Sequence, residues 1–137
     1  MIEALWPGYY SPAPLPMTEQ LGTAGVDRAA QAFTSDRGGG TITVALVREE
    51  SSEAAADTAM QMVVAKGGVT VVPPMSLTDR ALMVRGIDPD DLTLVMTQGE
   101  VVICINLVLG GTTDQNADWF VAHVGKGQLE LLIEAGY

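Results

Sequence analysis

The stretch Glu100–Leu109 (EVVICINLVL) constrains the fold more than any other part of the chain. As a strand it places Val101, Ile103, Ile105, Leu107 and Leu109 on one face and Val102, Cys104 and Val108 on the other, with Asn106 the polar exception. A strand that is apolar on nearly both faces belongs in the middle of a sheet covered on both sides. The chain has the material for such a cover: 137 residues, of which 47% are hydrophobic and 18% charged. That is the length of one domain with a real core.

The neighbouring segments read as the rest of that sheet and its cover. Thr41–Arg48 alternates as a strand with Ile42, Val44 and Leu46 inward. Ser51 or Ser52 caps a helix that ends at Gly67-Gly68, with Glu53 in its first turn and Lys66 in its last, as the helix dipole favours. Glu53, Asp57 and Gln61 line its polar face; Ala55, Ala59, Met62 and Val63 line the opposite one. Val69–Val72 and Arg80–Arg85 are short strands. Leu92–Thr97 and Glu100–Leu109 form a hairpin turning at Gln98-Gly99. Upstream, Thr18 caps a predicted helix over 18–34, with Leu21, Gly25, Ala29, Ala32 and Phe33 on one face. A final helix starts at Thr113 or Asp114 and reaches the C-terminus, its inner stripe running Ala117, Phe120, Val121, Val124, Leu131, Leu132 and Ala135.

The expected order is α-β-α-β-β-β-β-α. This is an α+β fold with a mostly antiparallel (mixed) sheet of about five strands packed by two to three helices. Residues 17–137 form the domain. Residues 1–16 hold four prolines, two tyrosines and a tryptophan, and read as an extended arm. The start of the chain carries no basic stretch leading into an apolar one, so it does not read as a signal peptide.

Charge and motif content exclude several functions. Seventeen acids against seven bases leave a net charge of −10, which argues against nucleic acid as a partner. No apolar run is long enough for membrane insertion as a helix. A single cysteine leaves no disulfide framework and no Cys-based zinc site. Gly38-Gly39-Gly40 lacks the Lys-Ser/Thr pair and helix start of a phosphate loop. Asp88, Asp90 and Asp91 fail the calcium-loop spacing, since Pro89 interrupts and Gly99 stands at the twelfth position. His123, the one histidine, has Trp119 and Lys126 on its flank and no close carboxylate. We therefore expect no catalytic residue, no metal and no cofactor.

Two binding readings remain. Methionine is over-used at adaptable apolar surfaces. Met62, Met83 and Met96, with Cys104 and Asn106, are therefore the candidate lining of an apolar ligand cavity. The last helix carries a second apolar face of Trp119, Ala122, Leu129 and Ile133. A helix apolar on two sides is covered on two sides. Trp119, Leu129 and Ile133, with Trp6, Tyr9 and Tyr10 of the arm, are therefore candidate partner contacts. The cover is either the arm itself or a second copy in a homodimer.

From about residue 33 onward the chain resembles the globular domain of small secreted proteins and lipoproteins of high-GC bacteria. The resemblance lies in four features. They are the strand Thr41–Arg48 with the Ala-rich helix 52–65 after it, the step Leu77-Thr78-Asp79-Arg80-Ala81 before a strand, the hairpin turning at Gly99, and the long apolar strand with its closing helix. Thr78 stands where the family usually has glycine, and there is no lipobox cysteine. The resemblance implies an extracytoplasmic setting and ligand or partner binding. The expected function is a non-enzymatic domain that binds an apolar small molecule or a protein. The alternatives are a small isomerase- or cyclase-like enzyme with an apolar cavity, and an accessory subunit of a larger assembly.

Overall fold

The computed structural model describes residues 9–10, 27–35, 40–73, 76–78, 80–86, 91–108 and 117–137, with the backbone alone described for Tyr9, Tyr10, Gln31, Thr34 and Ser35. In chain order its elements are β1 (Tyr9–Tyr10), β2 (Asp27–Ser35), β3 (Thr41–Arg48), α1 (Ser52–Lys66), β4 (Val69–Val71), β5 (Leu82–Arg85), β6 (Asp91–Gln98), β7 (Val101–Val108) and α2 (Ala117–Glu134). The strands form one sheet in the order β1-β2-β3-β7-β6-β5-β4. Every pairing is antiparallel. The α+β class stands, with more strands than the five expected and none of them parallel.

β7 lies at the centre, between β3 and β6, as its two apolar faces require. One face carries Ile42, Val44, Leu46, Met83, Leu92, Leu94, Met96, Ile103, Ile105 and Leu107, buried against Phe120, Val121, Val124 and Leu132 of α2. The opposite face carries Val47, Val95 and Val102, which pack with Ala55 and Ala59 of α1. The molecule therefore has three layers: α2, the sheet, and α1.

Local chemistry sets the element ends. Ser51 caps α1, its Oγ accepting from the Ala54 N–H at 3.1 Å. Gly67 closes the helix at φ +65°, its N–H donating to the Val64 carbonyl at 3.2 Å. The β6–β7 loop is Gly99-Glu100, one residue later than the expected turn. Gly99 takes φ +57° at the first loop position, where glycine alone is unstrained. On α2, a Cβ at Gly125 would stand 2.6 Å from Leu94 Cδ2, so the missing side chain lets the helix settle on the sheet.

The helix expected over 18–34 is corrected for the described residues: Asp27–Ser35 is the strand β2, registered along the whole of β3. Alanines at 29, 30 and 32 permit a helix, but pairing with β3 outweighs that preference. Ala29 is buried on the inner face, while Ala30 and Ala32 are exposed. Residues 18–26, the proposed caps Thr113 and Asp114, and the turn 87–90 lie outside the described residues. On α2 the two expected stripes are also redrawn. Leu129 and Ala122, read as outward, are buried; Leu131 and Ala135, read as inward, are exposed. The inner face is wider than a narrow stripe because the helix spans both β6 and β7.

Candidate functional site

The residues proposed as one ligand cavity stand on opposite faces of the sheet. Met83 and Met96 are fully buried beneath α2. Met62 and Cys104 pack on the α1 face. Asn106 is also on the α1 face, at the register of Thr43 and Thr93. Its amide nitrogen donates to Asp91 Oδ1 at 2.7 Å and to Thr93 Oγ1 at 2.9 Å, so its donors are committed within the protein. Lys66 Nζ reaches Asp91 Oδ2 at 3.9 Å, closing a polar cluster at the end of α1. Burial pushes the Cys104 thiol above its ordinary value, and the Lys66 charge pulls weakly the other way.

The residues proposed as partner contacts also separate. Trp119 is 49% and Ile133 53% exposed on the outer side of α2, while Leu129 is core. The Trp119 and His123 rings lie 5.9 Å apart. His123, Lys126 and Glu130 share this outer side with them and are exposed, so the two apolar residues are islands on a solvated face. Tyr9 and Tyr10 form β1 and pair with Ser35 and Thr34. Trp6 lies outside the described residues. Among the described residues no three His, Cys, Asp or Glu side chains converge as a metal site would need. No helix among them is long and apolar enough to cross a membrane.

A different place has the shape of a site. Along one flank of α1, Ala56, Ala59, Met60 and Val63 face Leu82 of β5 and Val95 and Thr97 of β6, with Arg80 at the rim, around a trough of about 320 Å³. Its cause can be traced to the sequence. α1 approaches the sheet through alanines, too short to fill the space over the floor. β4 pairs with Met83–Arg85 and ends at Val71, so among the described residues no strand extends over the side next to Leu82. The turn that precedes β5, closed by the Ala81 N–H on the Thr78 carbonyl at 3.2 Å, sets Arg80 at the mouth.

Arg80 and Thr97 also line a second hollow of about 240 Å³, completed by Ser52, Glu53 and Gly99. The two hollows thus share a border. One groove runs from an apolar end under Met60 and Val63, past Arg80 and Thr97, to a polar end at the start of α1. Arg80 and Glu53 make no ion pair or hydrogen bond among the described residues, whereas Arg85 pairs with Asp118 at 3.1 Å and Lys66 with Asp91. The arrangement can bind an elongated molecule with an apolar part and a charged part. Among the described residues no hydroxyl of the lining hydrogen-bonds to the Glu53 carboxylate.

Sequence reasoning missed this groove. Its lining is drawn from three separated segments, and none of them forms a motif. The available signal was Arg80, one of only seven basic residues, set next to a strand that opens with the apolar Leu82. Comparison of the chain with protein-family models, with curated proteins and with solved structures finds no match.

Proposed function

We propose that the protein is a non-catalytic binding domain whose ligand seats an apolar part in the trough between α1 and β5–β6. The observation that supports this reading is the trough itself: about 320 Å³, apolar along its length, with a guanidinium at its mouth that pairs with no other described residue. Its size falls at the lower end of small-molecule pockets. At roughly 30 Å³ for each heavy atom of a liquid-like occupant, it holds about ten of them. Each methylene removed from water contributes about 0.8 kcal/mol. An exposed ion pair contributes about 0–1 kcal/mol. The apolar part therefore supplies most of the affinity and the charged rim the selection. The extracytoplasmic setting is part of the proposal and rests on the resemblance to small secreted proteins.

The test is titration with the neutral apolar dye Nile red, in the wild type and in Ala56→Phe, which fills the trough from the solvent side of α1. The expected result is enhanced, blue-shifted emission with the wild type and its loss in the variant, with both proteins equally stable to urea. Absence of dye binding by the wild type, or binding unchanged by Ala56→Phe, overturns the reading.

A further inference from the structure

We infer that the ligand of the α1 groove is a small zwitterionic amphiphile, its tail under Met60 and Val63, its anionic group on Arg80, and its cationic group beside Glu53. This rests on the binding reading above and adds the chemistry of the head. The order of side chains along the groove carries it. The apolar trough borders a polar hollow, and Arg80 and Thr97 stand at the border between them. Beyond the border the lining is Ser52 and Glu53. A guanidinium and a carboxylate therefore flank one hollow without pairing with each other or with any other described residue.

Opposite charges across a hollow of about 240 Å³ complement a molecule that carries both signs in reversed order. Arg80 presents a planar fork of donors that suits a carboxylate or a phosphate. The Thr97 and Ser52 hydroxyls can donate to the same group. Glu53 lies in the first turn of α1, where the helix dipole already favours its charge, and it remains open to an ammonium.

The net charge of −10 argues for the same class. A molecule with a net negative charge is repelled by the whole protein, while a neutral zwitterion is not, and its two charges still meet Arg80 and Glu53. A simple cation would leave Arg80 unanswered. The trough's capacity of about ten heavy atoms sets the tail at roughly eight to ten carbons, or a short segment of a longer chain.

The experiment compares four amphiphiles with the same ten-carbon tail below their micelle concentrations: decylphosphocholine, decanoate, decyltrimethylammonium and decyl maltoside. Dissociation constants are read from methyl NMR shifts of Val63, Leu82 and Val95. Decylphosphocholine is expected to bind about threefold to tenfold more tightly than each of the others, the range an exposed charge contact gives. Arg80→Gln and Glu53→Gln are each expected to remove that preference by weakening decylphosphocholine binding more than decyl maltoside binding. Both side chains are exposed, so neither change threatens the fold. Decyl maltoside binding as tightly as decylphosphocholine overturns the inference and leaves the apolar trough standing. Decanoate binding best overturns it in favour of an anionic ligand. If none of the four shifts these methyls, the binding reading falls together with the inference.

Discussion

Cys104 shows how burial on a central strand sets the chemistry of one residue. Its place on β7, between Ala45 and Val95, makes it half-buried, and burial raises its thiol above the ordinary value near 9. The direction fixes a pH dependence. Below the ordinary thiol range both folded and unfolded chains keep the proton, and Cys104 adds no slope. As pH rises through that range the unfolded chain ionises first, so it binds fewer protons than the folded one and stability falls. Cys104→Ala is expected to flatten that loss. The measurement is the difference in urea midpoint between pH 7 and pH 10, compared between wild type and variant. An equal drop in both proteins would show that burial of this thiol costs nothing on ionisation. The methionines divide between the two faces of the sheet, with Met62 on the same face as Cys104. Met83 and Met96 fill the core under α2, and side-chain type alone does not reveal which face of a sheet a residue occupies.

At the scale of elements, α1 carries the groove, and its own stability sets the groove's shape. Its buried face is two alanines, so packing holds it less firmly than α2 and its caps matter more. Ser51→Ala removes the acceptor for the Ala54 N–H and is expected to cost about 1 kcal/mol. Ser51→Asp should restore most of it, since a carboxylate accepts the same bond and suits the dipole. Thermal unfolding checks the pair; a Ser51→Ala variant as stable as wild type would mean the cap bond is exchanged freely for water. α1 was legible because cap, dipole charges and terminal glycine all agree over 51–67. β2 was not, because Asp27–Ser35 is mostly alanine and small polar residues whose spacing fits either structure. Its partner β3 decides, and pairing between residues 7 to 21 positions apart in the sequence is not a local signal. The groove was hidden for a related reason: Arg80 and Glu53 are far apart in sequence and line one hollow only once the chain has folded.

At the scale of the molecule, cover and connection should give the sheet a gradient of stability. β7 has a strand on each side and a helix on each face, and five of its eight residues are buried. β3 and β6 share its core. β4 is the opposite case: three residues at the edge of the sheet, with Val69 70% exposed and no strand beyond it among the described residues. A short edge strand limits sheet-to-sheet association, and here Pro73 follows closely and ends the pairing. Local opening requires little apolar area to be exposed at β4 and nearly the whole core at β7. Amide hydrogen exchange is therefore expected to be slowest at β7 and the β3 and β6 bonds that flank it, and fastest at β4, with β5 between. If the Arg80–Glu53 groove is filled by a zwitterionic amphiphile, protection should rise first at β5 and the start of α1, which line it, and not at β3 or β7, which already open only with the whole fold. Protection gained equally in every strand would mean that the ligand stabilises the molecule globally. Protection gained only in β2 and β3 would place it on the β2–β3 half of the sheet, away from Arg80.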